Sequence, residues 1–177
     1  MSYVHKTMNS PVGMLKLVGS EAGLAAVLWE NDDPRRVRLD VGLHSEHHPV
    51  LVEAERQLNE YFAGKRKVFS VKLDFVGTPF QKKVWQAMLS IPFGETRTYG
   101  ELAKQIGDPN AVRAVGAANG KNPLSIIGPC HRVIGASGKL TGFAGGLEAK
   151  ALLLRLEGAQ FGKSAVTKEI ADATRLF

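Results

Sequence analysis

Residues 98–120 read TYGELAKQIGDPNAVRAVGAANG. Thr98 and Glu101 stand three apart ahead of an apolar run, the spacing of a capping box, in which the side chain of each residue satisfies a backbone N–H of the other. Gly107 supplies a stop, because a helix readily ends on a residue free to take positive φ. After the turn DPN, AVRAVGAANG (111–120) has the composition of a second short helix. Two short helices joined by a Gly-containing turn match a helix-turn-helix, and an ordinary helical hairpin has the same pattern.

Upstream of this pair, VGTPF (76–80) marks a change of composition and the expected domain boundary. Thr78 is a good N-cap and Pro79 fits the first helical position. Phe80, Val84, Trp85, Met88 and Leu89 then form one apolar stripe, which predicts a helix to about Ser90. Downstream, IIGPCHRVIG reads as a short buried strand or a loop, SGKLTGFAGG (137–146) as a glycine-rich hairpin or wing, and LEAKALLLRLEG (147–158) as a helix stopped by Gly158. Upstream, MLKLVG (14–19) and LAAVLWE (24–30) predict two strands around the turn SEAG, and VKLDF (71–75) alternates like a third. Residues 37–42 are left open between strand and loop. Leu51, Ala54, Leu58, Tyr61 and Phe62 lie at helical spacing before Gly64. The expected organisation is a small α/β unit over 1–76, a helical unit over 77–158 and a tail over 159–177. His44, His47 and His48 raise the idea of a metal site, but a polar loop is the better reading without cysteine ligands nearby.

The 177 residues carry a net charge of +6, and its placement matters. Residues 1–77 hold ten basic and ten acidic side chains, whereas residues 78–158 hold ten basic and five acidic. A basic half beside a neutral half points to a polyanionic partner, nucleic acid first; a mildly basic solvated surface is the plainer alternative. No stretch of about 18 apolar residues exists, so no membrane span is expected. The N-terminus MSYVHKTMNS lacks the apolar core of a signal peptide, and the expected compartment is the cytoplasm. One cysteine precludes an internal disulfide and a multi-cysteine zinc centre.

That cysteine, Cys130, lies in GPCHR. The thiolate, not the thiol, is the nucleophile, so a reactive cysteine needs a base or a nearby positive charge. His131 and Arg132 supply both types. Adjacent side chains of an extended segment point to opposite faces, so a direct Cys130–His131 hydrogen bond is awkward. A bridging water, or a turn induced by Pro129, resolves this. Glu157 is one of few carboxylates in this half and is the candidate acceptor for the far imidazole nitrogen. The relay expected is Glu157–His131–water–Cys130. A lone cysteine is also often a small buried hydrophobe, and Arg132 alone reads more readily as a structural ion-pair partner than as a catalytic group.

PCHRVIG, together with TYGELA, AVRAVGAANGKNP and TGFAGGLEAKALLLRLEG, resembles the O6-alkylguanine-DNA alkyltransferase (methylated-DNA–protein-cysteine methyltransferase) family across residues 78–158. The resemblance implies an α+β protein: a small ribonuclease-H-like N-terminal α/β domain and a helical C-terminal domain with a winged helix-turn-helix. It implies repair of double-stranded DNA carrying O6-alkylguanine, with O4-alkylthymine as a second substrate. The target nucleotide is flipped out and its alkyl group moves once, irreversibly, to Cys130. No cofactor and no metal are implied, no membrane association, and a monomer whose cooperativity on DNA stays open. Cys130, His131, Glu157, Asn122 and Tyr99 fall at the family's catalytic positions, Asn122 tying the loop before the cysteine and Tyr99 acting on the flipped base. Arg113 falls at the intercalating arginine. Tyr99, Arg132, Val133, Phe143, Ala144, Gly145, Ala117 and Gly120 fall on the substrate- and DNA-binding surface. Three departures stand out: Phe143 where many members have tyrosine, Ala144 where some have serine, and Gly128 where a branched apolar residue is common, which predicts a looser approach to the cysteine. A DNA-binding sensor that leaves the thiol unmodified, and a cysteine hydrolase using Cys130 and His131, are the competing classes.

Overall fold

The computed structural model describes residues 2–138, 140 and 142–159. Its chain divides into two units: Met1–Val76 with Pro123–Ile127, and Gly77–Asn122 with the chain from Gly128 onward. Apart from Ala159, the tail 159–177 lies outside the described residues.

In the first unit, β1 (Val4–Met8), β2 (Leu15–Ser20) and β3 (Gly23–Trp29) form an antiparallel meander. A two-residue strand, β4 (Leu43–His44), pairs parallel to β1, so the order is β3-β2-β1-β4. The expected strands at 14–19 and 24–30 are found within a residue; β1 was not expected. On its buried face Val4 and Met8 flank Lys6, whose ammonium reaches Glu46 at 2.8 Å, and this charge breaks the apolar alternation that marks a strand. Residues 37–42 are loop. VKLDF makes only a bridge: Leu24 N donates to Lys72 O and Asp74 N to Leu24 O, both 2.8 Å. The ladder stops there because the far end of β3 is paired otherwise, Val27 N donating to Pro123 O (2.8 Å) with Leu124 opposite Val27. Trp29 Nε1 donates to Ser125 Oγ in the same five-residue return (3.1 Å). Within it Ile126 takes φ +74°, a costly backbone for a β-branched residue. Helix α1 (Pro49–Phe62) lays Leu51, Ala54, Leu58 and Tyr61 against the sheet. His48 caps it, its Nδ1 accepting from Val50 N, and His44 pairs with Glu46.

The second unit holds α2 (Pro79–Leu89), β5 (Arg97–Thr98), α3 (Tyr99–Gln105), α4 (Val112–Gly120), a 3₁₀ turn (Cys130–Arg132), β6 (Val133–Ile134) and α5 (Leu147–Leu156). The capping box on α3 is present, both Thr98–Glu101 hydrogen bonds measuring 3.0 Å. Thr78 makes a second with Gln81 at the start of α2, where only the N-cap was expected. Val84, Trp85 and Met88 are the buried stripe of α2, and Trp85 Nε1 donates to Ala118 O (2.8 Å), fixing α2 against α4. β5 and β6 pair in parallel, Arg97 opposite Val133, so the start of α3 and the end of the cysteine turn are held side by side. Ile134, Leu140 and Ala159 pack with Ala151 and Leu154 of α5 in one apolar cluster. Among the described residues of 135–146 no hairpin is found: they form turns and irregular chain, in keeping with five glycines among them and no period-two alternation. Lys139 and Thr141 of that stretch lie outside the described residues. Among the described residues no helix is long and apolar enough to cross a membrane.

Candidate active site

GPCHR neither extends as a strand nor wanders as a loop. Arg132 N donates to Pro129 O (2.9 Å) and Val133 N to Cys130 O, closing one 3₁₀ turn that begins at the cysteine. The turn brings a single buried cluster together. Cys130 is 5% exposed, His131 0%, Arg132 6% and Glu157 5%. His131 Nε2 lies 2.7 Å from Glu157 Oε2 and donates to it. Arg132 grips the same carboxylate with two donors, Nε to Oε1 at 2.8 Å and Nη2 to Oε2 at 3.0 Å, while Nη1 donates to Ile91 O at 2.7 Å. A planar fork on a planar carboxylate is the geometry that guanidinium supplies and ammonium does not. Arg132 is thereby corrected: the position implied it on the DNA-facing surface, and the structure turns it inward, because Glu157 would otherwise be a buried carboxylate without a full counter-charge.

The charge states follow from burial and pairing. Burial alone would push the Glu157 carboxyl up, but the hydrogen bonds from His131 and Arg132 and the Arg132 charge outweigh it and hold the pKa at about 2. For His131, burial lowers the pKa; Glu157 opposes this, and Arg132 and Lys150 add to it. The imidazole is therefore neutral at neutral pH, protonated on Nε2, and its Nδ1 is an acceptor. Among the described residues Nδ1 is buried with no hydrogen-bond partner. An orphan acceptor in a sealed site is costly unless something donates to it.

The approach to the cysteine is tied rather than loose. Gly128 O accepts from Asn122 Nδ2 at 2.9 Å and from Cys130 N at 2.8 Å, and Asn122 is fully buried. The looseness expected of Gly128 is therefore overturned, since its carbonyl holds two donors. Tyr99 is the first residue of α3, half-buried, and its ring faces Gly116 of α4, where an added Cβ would lie 3.8 Å from Tyr99 Cδ1. Arg113, Ala117 and Gly120 are exposed and spaced four and three apart, so they share one face of α4. Among the described residues no carboxylate pairs with Arg113. Phe143, Ala144 and Gly145 form the turn before α5, closed by Gly146 N donating to Phe143 O at 2.9 Å. Cys130, His131, Arg132, Val133, Glu157 and Asn122 are thus joined through one turn and its hydrogen bonds; Arg113, Ala117 and Gly120 stand apart on the surface. Sequence reasoning missed Lys150. It is fully buried, and the available signal was a lysine at an apolar position of α5, between Ala149 and Ala151.

Residues 79–159 match the DNA-binding domain of 6-O-methylguanine DNA methyltransferase, and residues 3–75 its ribonuclease-like domain. A methylated-DNA–protein-cysteine methyltransferase of Methanosarcina acetivorans is 54% identical over 151 residues, covering 85% of this chain and 96% of that protein. One from Mycobacterium tuberculosis is 52% identical over 157 residues, covering 86% and 91%. A crystal structure of the Mycobacterium tuberculosis protein in complex with DNA superposes with a TM-score of 0.79 at 48% identity, covering 89% of this chain and 93% of that one.

Proposed function

The chain belongs to the methylated-DNA–protein-cysteine methyltransferase family and is a DNA-binding repair methyltransferase for O6-methylguanine, and from that premise we propose that Cys130 accepts the alkyl group, once and irreversibly. The observation that carries this reading is the geometry of His131, its Nε2 on Glu157 and its Nδ1 buried without a partner among the described residues, in the turn that starts at Cys130. The thiol proton passes through a water to Nδ1. The thiolate attacks the alkyl carbon in line, the S–C bond forming as the C–O6 bond breaks. The electron pair stays on guanine, which takes a proton from the Tyr99 hydroxyl; the proton held by His131 returns to solvent and Tyr99 is reprotonated. A thioether has no easy path back to thiolate, so each molecule acts once. Nothing in this transfer requires a cofactor.

Reaching O6 inside a duplex means extruding the nucleotide, at a cost of a few kcal/mol. Arg113 enters the vacated stack, carried on the small-residue face formed with Ala117 and Gly120, which lets α4 approach the minor groove closely. The turn Phe143–Gly145 lines the alkyl pocket with a ring and backbone groups. Because Phe143 and Ala144 bring no hydroxyl, recognition there rests on main-chain groups, and O4-alkylthymine, with the same alkoxy carbon beside a ring nitrogen, is also a substrate. The first unit plays a supporting part, and the protein acts as a monomer in the cytoplasm.

Intact-mass measurement tests the core of this. Incubation with an O6-methylguanine duplex should add about 14 Da, the mass of CH2, saturating at one group per molecule and absent in Cys130→Ser. Continued turnover, or binding with no mass change, would contradict it. The same step with O4-methylthymine tests the second substrate.

A further inference from the structure

Lys150 is a cation with no part in the alkyl transfer proposed for Cys130. It lies on the inner face of α5, fully buried in a helix whose other inner residues are Ala149, Ala151, Leu152, Leu153 and Leu154. An ammonium is the group least tolerated in such a place, and it persists only where other charges or acceptors repay its lost hydration. One acceptor is plain: Nζ donates to Val133 O at 2.8 Å. Val133 is also the residue whose N–H closes the turn onto Cys130 O. Nζ further stands 5.8 Å from the centre of the Phe143 ring, inside the range of a cation–π contact. The ammonium is thus seated between the cysteine turn and the pocket wall.

We propose that Lys150 is the buried counter-charge of the Cys130 thiolate, a positioning residue that keeps the sulfur ionised through the field of its ammonium and through the Val133 peptide. This deepens the reading of Cys130 as alkyl acceptor and rests on it. The case for it is a count of charges among the groups that face one another here. Glu157 carries one negative charge, and Arg132 matches it with two hydrogen bonds. His131 is neutral through burial, and Arg132 and Lys150 both disfavour its cation. Arg97, on the strand paired with Val133, is engaged with Glu95 at 3.0 Å. Ionising Cys130 would therefore leave the buried set one charge negative, and Lys150 restores neutrality. The proton that leaves sulfur passes over His131 to solvent rather than staying on it. Burial brings the Lys150 pKa down to about 8, and the Cys130 charge is what acts against that lowering. Alkylation converts the thiolate to a neutral thioether, so the ammonium then loses its partner.

The test reads the thiol itself. The pH dependence of Cys130 alkylation by iodoacetamide is measured in the wild type, K150Q and K150R. Glutamine keeps a donor for Val133 O and drops the charge; arginine keeps the charge. K150Q should move the midpoint up by about one pH unit and slow the reaction near neutrality about tenfold, while K150R stays near the wild type. A K150Q titration that overlays the wild type would overturn the proposal and leave Lys150 a structural peg. Should K150Q fail to fold, the lysine side chain is titrated by NMR in isotopically labelled wild-type protein before and after S-methylation of Cys130. A lower Lys150 pKa in the methylated protein is expected, and an unchanged one sinks the idea. The wild-type mass step on methylated duplex runs alongside: its absence would refute Cys130 as acceptor, whereas its presence with an unshifted K150Q titration would refute Lys150 alone.

Discussion

At the scale of the residue, Glu157 is the hub. Its two oxygens receive His131 and three of the contacts that orient Arg132 and Gly94, the last at 3.5 Å. Removing the charge by Glu157→Gln leaves Arg132 buried and uncompensated, and the loss should be about 3–5 kcal/mol in urea unfolding, far above an ordinary lost hydrogen bond. The same variant should also take up methyl groups more slowly, because the His131 tautomer that presents Nδ1 depends on Nε2–H having an acceptor. Arg113 is the opposite case: exposed, unpaired among the described residues, and without a part in the core. Arg113→Ala should leave stability and the reaction with free O6-benzylguanine unchanged but slow repair in duplex roughly tenfold or more, since only the duplex substrate needs its extruded base replaced. Equal slowing of both substrates in single-turnover assays would remove Arg113 from the flipping step. At this scale the pairing of His131 with Glu157, in the turn that starts at Cys130, was legible in the sequence, because few other carboxylates lie in that half. For Arg132 the residue reading as an ion-pair partner agrees with its place against Glu157, whereas the resemblance had put it on the DNA-facing surface.

Elements transmit these positions. α3 starts where it does because Thr98 and Glu101 satisfy each other's N–H groups, and that start sets Tyr99 at the first helical position. Thr98→Ala removes one half of the box, and about 1 kcal/mol of stability should go with it. Thermal unfolding reads this, and Thr98→Ser should restore most of it. A tighter constraint lies at Gly77, where an added Cβ would sit 2.5 Å from the Trp85 ring. Gly77→Ala should therefore cost about 1–3 kcal/mol as the ring shifts and its hydrogen bond to Ala118 O lengthens. Helices were well read because caps and period are local properties. β1 and the 71–75 bridge were not, because a strand is completed by distant partners: the pairing of Lys6 with Glu46 hid one, and the edge of β3 being shared with Pro123–Ile127 shortened the other.

For the whole molecule, pH and salt are the informative variables. The His131 pKa is lowered in the folded state, so its contribution is complete above about 6.5 and declines as pH falls below that. Glu157, held at about 2 instead of 4.5, contributes fully above 4.5 and loses its contribution toward 2. Both slopes have the same sign, so urea midpoints taken at about pH 7.5, 5.5 and 4 should fall steadily, with His131→Gln flattening the upper part. A midpoint constant across that range would contradict the buried, neutral imidazole. Two of the ten cations of residues 78–158, Arg132 and Lys150, are internal, as is the Glu157 carboxylate, so the surface of that stretch keeps a positive excess. DNA affinity should fall with salt at a logarithmic slope of about −0.9 per phosphate neutralised, and a flat response would exclude that surface as the contact. The helices, their caps, and the one cysteine with its two basic neighbours could be read from the chain alone, because these depend on residue type and on spacing within a few residues. Only the tertiary structure decided that Arg132 faces inward, that Gly128 is tied by Asn122, and that Lys150 lies buried beside the cysteine turn. Those outcomes depend on which charges and carbonyls meet after chain segments tens of residues apart have packed, and desolvation there sets what each group must pair with.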